Sequence, residues 1–328
     1  MKKILLYLSF LFLLVQPASF SQSSGYKITG KINIGGEGRW DYTAVDVPAH
    51  KLYVSHGTRV HVIDLTSNKV VGEISDLHGV HGIAFADEFN KGFISNGMND
   101  TVTVFDLKTF KTTGSIHVTG KNPDAIVYDP FTKRIFTFNG RSSNATAIDA
   151  ETGNVVGTLT LDGKPEFAAS NGNGLMYVNL ENKSQITEFD PKELKVINTW
   201  SIAPGESPSG LAFDVKNNIL FAGCDNKIMA IVDAKTGKVI TTQPIGGRVD
   251  ACGFDPETNF AFSSNGEGTL TVIHEDSPAE FKVVDNITTE KGLRTMALDP
   301  TSHNVYLIGT LAGQDSSKSF GVLILGMK

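Results

Sequence analysis

Short apolar runs that alternate with turn residues repeat along almost the whole chain. The clearest unit spans residues 121–156, with apolar runs at 126–129 (IVYD) and 135–138 (IFTF) and two later strand patterns that meet at the turn 151–154 (ETGN). Aromatic and β-branched runs bounded by Gly, Asn and Asp predict β-strands. The unit therefore predicts four short strands joined by tight turns.

Six further copies of this unit align on the start of their first strand. The copies begin 40 to 44 residues apart, and four strands at a period of about 40–45 residues are the signature of a β-propeller blade. The seven anchor positions are Trp40, Val80, Pro123, Pro165, Pro208, Val249 and Leu293. The sequence predicts an all-β fold: one seven-bladed β-propeller with four-stranded blades.

The two ends of the chain supply the strands of one blade. The last copy stops after 321–325 (GVLIL) without a fourth strand, and residues 26–34 match the fourth-strand pattern seen at 69–74. We expect 26–34 to complete blade seven and close the ring without an open edge. Within the same blade, the polar stretch 310–318 predicts a long loop between the second and third strands.

Five third strands end in an aspartate that is followed by a turn. Asp side chains commonly accept hydrogen bonds from turn N–H groups, so we interpret these acids as caps of a repeated turn. They are Asp64, Asp106, Asp149, Asp190 and Asp233.

The repeat also resembles a known family. The elements 52–55 (LYVS), 102–106 (VTVFD) and 152–156 (TGNVV) resemble the YVTN repeat, and the chain is similar to exported YncE-like seven-bladed propellers. This resemblance covers essentially the whole mature chain and implies the propeller fold. It also implies a periplasmic or surface location, with single-stranded DNA binding attributed to some members. Propeller lactonases and lyases share the architecture without these motifs, so their chemistry is an analogy of fold.

Residues 1–21 have the pattern of a secretory signal peptide. A basic start at Lys2 and Lys3 precedes the apolar run 4–15 and a small-residue exit, which is too short for a membrane span. We predict cleavage near Ser21, a propeller formed by 22–328, and a periplasmic or secreted location. No later run is long and apolar enough to span a membrane, and we expect a monomer.

Charge narrows the choice of partners. The chain has 29 Lys and Arg against 35 Asp and Glu, a formal net charge of −6 at pH 7. Loss of Lys2 and Lys3 with the leader would give −8, which disfavours nucleic acid as a partner because phosphate binding depends on an excess of cations. Cys224 and Cys252 lie in neighbouring repeats, and a disulfide and two buried thiols are equally compatible with the sequence.

The residue after each anchor is expected at the mouth of the central channel, where the seven first strands begin. These positions are Asp41, His81, Asp124, Glu166, Ser209, Asp250 and Arg294. A solvated rim explains their polarity, and so does a ligand site. Asp41, His81, Asp124, Glu166 and Asp250 could hold a divalent metal ion through oxygen and nitrogen, and Arg294 could pair with an anion.

Loops between second and third strands should emerge on the same face. With Trp40 and His78, they add His56, Arg59 and Arg141 as a local cluster on the early blades. Such a cluster suits a small organic anion. The leading hypothesis is an exported binding or scaffold protein that holds a small anionic ligand or a protein partner at the channel mouth. The alternative is a metal-assisted, lactonase-like hydrolase or lyase acting on a small anionic substrate.

Overall fold

The computed structural model describes residues 23–36, 38–312 and 318–327, and it has seven four-stranded antiparallel sheets. The predicted leader at 1–21 lies outside the described residues. Blade one contains β2 (Thr43–Asp46), β3 (Lys51–His56), β4 (Arg59–Asp64) and β5 (Lys69–Ile74). Blade two contains β6 (Val80–Ala86), β7 (Lys91–Asn96), β8 (Thr101–Asp106) and β9 (Thr112–His117). Blade three contains β10 (Pro123–Asp129), β11 (Arg134–Asn139), β12 (Asn144–Asp149) and β13 (Val155–Thr160).

The other blades follow the same order. Blade four contains β14 (Pro165–Ser170), β15 (Met176–Leu180), β16 (Gln185–Asp190) and β17 (Lys195–Ser201). Blade five contains β18 (Pro208–Asp214), β19 (Ile219–Cys224), β20 (Ile228–Asp233) and β21 (Val239–Pro244). Blade six contains β22 (Val249–Asp255), β23 (Phe260–Asn265), β24 (Thr269–Ser277) and β25 (Glu280–Thr288). Short 3-10 helices at Asp87–Phe89 and Glu181–Lys183 interrupt blades two and four.

Blade seven confirms the predicted ring closure. Its strands are β26 (Thr295–Asp299), β27 (Asn304–Ala312), β28 (Lys318–Met327) and, outermost, β1 (Tyr26–Asn33). β1 runs antiparallel to β28, with Ile32 opposite Val322. The predicted loop at 310–318 is wrong at both ends, because β27 and β28 extend through Thr310–Ala312 and Lys318, where backbone pairing continues. Residues 313–317 lie outside the described part.

Apolar side chains fill the spaces between neighbouring blades. Each junction has its own buried cluster, such as Phe136, Phe138 and Phe189 between blades three and four. The β2, β6, β10, β14, β18, β22 and β26 strands contact one another in that order and back to β2, so they line the central axis. Among the described residues, no helix is long and apolar enough to cross a membrane.

The aspartates at the ends of third strands confirm the predicted turn caps. Asp149 accepts hydrogen bonds from the Thr152 amide (2.7 Å) and hydroxyl (2.8 Å), and these bonds lower the pKa of Asp149. Equivalent bonds reach Asp64 from Ser67, at 2.7 Å, and Asp106 from Thr109, at 2.8 Å. The repeated aspartates therefore stabilise the turns by accepting these hydrogen bonds.

Replacing Asp149 by alanine is expected to lower the free energy of unfolding by about 1 kcal/mol, because two hydrogen bonds to a charged acceptor are lost at a largely exposed turn. Urea denaturation of the two proteins measures the difference. Glu151→Ala, a charge removal in the same turn that breaks neither bond, is the control. Equal losses in both variants would contradict a capping role.

Candidate site at the channel mouth

The structure brings the residues that follow the anchors together around the axis. His81 Nδ1 lies 2.5 Å from Asp41 Oδ2 and 3.4 Å from Asp124 Oδ1. Arg294 approaches two carboxylates, with Nε 3.6 Å from Asp250 Oδ2 and Nη2 4.0 Å from Asp41 Oδ1. Blades one, two, three, six and seven thus share one ionic network.

Ser209 and Glu166 complete the ring of seven. The Ser209 hydroxyl donates to the backbone carbonyl of Asp250 at 3.1 Å, so it joins blades five and six at the rim. Glu166 lies close enough to Asp124 for the Asp124 charge to disfavour ionisation of Glu166. The seven positions that the repeat alignment identified therefore lie together at the mouth. Their role in binding remains a prediction.

Lys164 is a rim cation that the sequence analysis missed. Its Nζ lies 2.5 Å from Glu166 Oε1 and 2.5 Å from Glu181 Oε2. Lys164 stands one residue before the Pro165 anchor, a position with no repeated pattern. Its partner Glu181 begins the 3-10 helix that follows β15, so the pair depends on the conformation of that loop.

Burial and mutual repulsion shift the titration of the rim carboxyls. Burial raises the pKa of Asp250 to about 6, with Arg294 opposing the shift and Asp41 adding to it. Burial likewise raises the pKa of Asp124 to about 6, partly offset by His81. For Glu166, burial and then Asp124 raise the pKa to about 8 despite the Lys164 ammonium.

His81 titrates in the same direction for a different reason. Burial acts to lower its pKa, but the hydrogen bond to Asp41 and the charges of Asp124, Asp41 and Glu166 outweigh burial and raise the pKa. The surrounding carboxylates therefore favour the imidazolium more than water does. Groups that change charge near neutral pH can serve in proton-linked binding or acid–base chemistry.

Two aromatic rings close the axis beside the rim carboxyls. Tyr42, which precedes β2 in blade one, and Phe167 of β14 in blade four have ring centroids 4.6 Å apart at an interplanar angle of 31°. Blades one and four are three places apart in the ring of seven, so this contact crosses the axis. We call the rim carboxyls and cations, together with the Tyr42–Phe167 pair that spans the axis beside them, the socket, and the aromatic pair its floor.

The floor is a departure from the repeat. At the position two residues after the anchor, the other five blades have small residues: Gly82, Ala125, Gly210, Ala251 and Thr295. A Cβ added at Gly210 would lie 2.6 Å from the Cys252 amide nitrogen in blade six, which shows how little room the repeat leaves there. Two aromatic residues among small ones are the sequence signal that would have identified the floor.

Buried polar side chains of the second strands hold the rim backbone. The Ser95 hydroxyl donates to the Asp124 carbonyl at 2.5 Å, and the Asn179 amide donates to the Ser209 carbonyl at 2.8 Å. Ser264 makes the same contact with the carbonyl of Arg294. Each bond joins one blade to the next and thereby restrains the backbone of the rim residues.

The other predicted ligand residues do not form one cluster in the described part of the chain. His56 is buried, stacks on Phe320 at 4.0 Å and contacts His61 at 3.1 Å. Trp40 packs on the same Phe320, with centroids 5.6 Å apart. Both rings therefore belong to the junction of blades seven and one.

The remaining three residues lie apart from the rim network. Arg59 pairs with Glu73 at 3.4 Å and, together with His78, lines an open groove of about 320 Å³ around Ser75–Leu77. Arg141 is exposed and acts electrostatically on Asp100. The loops that carry these side chains therefore do not bring them to the rim network around the axis.

Three of the five predicted metal ligands could share one ion. The donor atoms of Asp41, His81 and Asp124 all lie within 4.8 Å of one another, and within the described ranges this is the one group of three or more such residues. Glu166 and Asp250 are not part of this group and are instead paired with Lys164 and Arg294. Oxygen and imidazole donors suit a divalent cation when the imidazole is neutral.

The cysteines are not bonded to each other. Cys224 and Cys252 are free thiols in neighbouring blades, and burial raises the pKa of Cys224 to about 12 and that of Cys252 further. The sequence was compatible with a disulfide or with two thiols, and the structure shows two free thiols.

Comparisons with known proteins support the fold alone. No protein-family profile matches the chain, and no curated protein matches it in sequence. Among solved structures, a chain from a crystal structure of a mitotic checkpoint complex is similar over 98% of both chains, with a TM-score of 0.74 and 14% sequence identity. At that identity the match supports the fold alone, and the fold does not decide function.

Proposed function

We propose that this is an exported, YVTN-like binding protein that holds a small polar ligand in the socket at the mouth of its channel. The observation that carries the proposal is the convergence of ionisable side chains from six blades above the Tyr42–Phe167 floor. The fold needs only a polar rim here, whereas this rim is closed below, fixed by buried hydrogen bonds and charged at close range. Concave sites with a few convergent polar groups are typical of ligand pockets.

The ionic pairing argues against the expected anionic ligand. Each rim cation already faces carboxylates: Lys164 has two, His81 has two and Arg294 has two. An anion would have to displace one of these partners. A neutral ligand need displace none of them, and a cationic ligand would share carboxylates that outnumber the rim cations.

A thermal-shift screen with small amines, carboxylates, sugars and divalent cations tests the proposal. We expect some compound to stabilise the wild type and Asp162→Asn, an exposed control on the same face, but not Asp124→Asn. The control matters because both variants remove one charge. If no compound separates Asp124→Asn from its control, the socket is not a ligand site.

A metal-assisted hydrolase or lyase is the second candidate, and the Asp41–His81–Asp124 geometry favours it. A divalent ion held there would supply Lewis acidity, and Glu166, with its pKa of about 8, would be a general acid or base within the same socket. We expect His81→Gln to abolish binding of a divalent cation, measured by calorimetry and elemental analysis at pH 8. His78→Gln in the same blade is the control, and retention of stoichiometric metal in His81→Gln would exclude the triad.

A further inference from the structure

The hydroxyl of Tyr42, a partly exposed residue, makes no hydrogen bond to another described residue, although charged side chains lie around it. Asp124, Glu166, Asp41 and Asp250 all act on it and, after burial, raise its pKa well above the usual range. The phenol therefore lies among four carboxyls contributed by blades one, three, four and six. Because Tyr42 is partly exposed and its hydroxyl has no protein partner in the described part of the chain, the hydroxyl is open to a ligand as a hydrogen-bond acceptor.

The charges around that hydroxyl do not balance. Five carboxyls surround the socket (Asp41, Asp124, Glu166, Glu181 and Asp250), whereas three cationic groups face them (His81, Lys164 and Arg294). The raised pKa values of Asp124 and Asp250 have this surplus among their causes, since Asp41 repels both. A positively charged group in the socket would relieve the repulsion.

A hydrogen-bonding cation suits the full ring better than a metal ion does. The His81 nitrogen nearest the carboxylates acts as a donor, at 2.5 Å from Asp41, and a metal ion would require that nitrogen to be unprotonated. Glu166 and Asp250 also lie outside the group that one ion could bridge. A primary ammonium needs only acceptors, and it has three N–H bonds to donate.

We propose that the socket binds the primary ammonium group of a small amine. The ammonium donates to rim carboxylates such as Asp124 and Asp250 and to the Tyr42 oxygen. Because the Tyr42–Phe167 pair closes the axis, the carbon chain of the amine points outward through the mouth. This inference rests on the proposed function and names its ligand class.

Calorimetric titration with n-butylammonium at about pH 8 is the test. Asp250→Asn is expected to weaken binding about tenfold or more, the loss of a charge-assisted hydrogen bond, and Tyr42→Phe about threefold. Asp162→Asn leaves the affinity unchanged. Tetramethylammonium, which has the charge but no N–H group, is expected to bind much more weakly, and binding of n-butylammonium weakens from pH 8 to pH 5 as the carboxyls gain protons.

The outcomes separate this inference from the proposed function. If butyrate or Ca²⁺ binds in an Asp124-dependent manner and n-butylammonium does not, the ligand class is wrong and the socket remains a binding site. If tetramethylammonium binds as tightly as n-butylammonium, recognition by hydrogen bonds is wrong. If amines, carboxylates, sugars and divalent cations all fail to bind, both proposals fall.

Discussion

Replacing Ile32 by alanine is expected to lower the free energy of unfolding by about 3 kcal/mol, the usual cost of truncating a buried isoleucine. Ile32 belongs to the closing strand β1 and is 5% exposed, packed in a cluster with Phe320, Val322 and Ile324. Ile28 occupies the same strand but is 45% exposed. The same substitution there is expected to change stability by less than about 0.5 kcal/mol.

The pair of variants isolates the effect of ring closure because residue type, strand and lost volume are identical. Chemical denaturation followed by tryptophan fluorescence measures both, and Trp40 near Phe320 reports on the same junction. The cost is large because β1 is the link between the two chain ends, and β28 would otherwise present an unpaired edge. Equal and small losses at Ile28 and Ile32 would show that the strand contributes little to closure.

The repeat made the fold predictable from sequence. Every blade needs a first strand that fits the narrow axis and a third strand that ends in a turn, so Pro123 and Asp149 have counterparts at regular spacing. The closing strand followed from counting, since blade seven lacked one strand at its end and the chain had one spare at its start. The length of β27 was missed because Thr310–Ala312, which lead into a polar stretch, pair with β28 through backbone bonds that do not depend on side-chain type.

The site was only partly predictable because its key contacts cross the axis. The alignment identified Asp41 and Asp124 as equivalent rim positions, but it gave no information on the distance between their side chains. The contact of Tyr42 with Phe167 joins blades that are remote in sequence, and it forms only when the ring closes. His56 was expected near the ligand because of its chemistry, but stacking on Phe320 places it inside a blade junction.

The free energy of unfolding is expected to fall as the pH rises from about 5 to about 8. Asp124 and Asp250 titrate at about 6 in the folded protein, above the ordinary value of 3.8, and His81 is also shifted upward. Between the two pKa values the folded chain binds more protons than the unfolded chain, so stability is lost with rising pH. Below about pH 4 the sign reverses, because the capping carboxylates, such as Asp149, have lowered pKa values.

Asp250→Asn should flatten this profile, since the amide cannot ionise. A shift of about two pKa units corresponds to roughly 3 kcal/mol, so the variant is expected to gain up to about 2 kcal/mol over the wild type at pH 8 after the loss of the Arg294 pairing is subtracted. Urea denaturation at a series of pH values measures the slope, and Asp162→Asn should keep the wild-type slope. If the free energy of unfolding of the wild type rises from pH 5 to pH 8, the repulsion between the rim carboxylates is contradicted.

The same titration connects stability with function. A rim that destabilises the fold at neutral pH has no structural advantage over a ring of serines and threonines, so its carboxylates fit a site that a ligand completes. A bound ammonium ion would neutralise the surplus charge where it is greatest, and ligand binding to the folded state adds to stability. n-Butylammonium is therefore expected to raise the stability of the wild type at pH 8 and to have a smaller effect at pH 5, where Asp124, Glu166 and Asp250 are largely protonated.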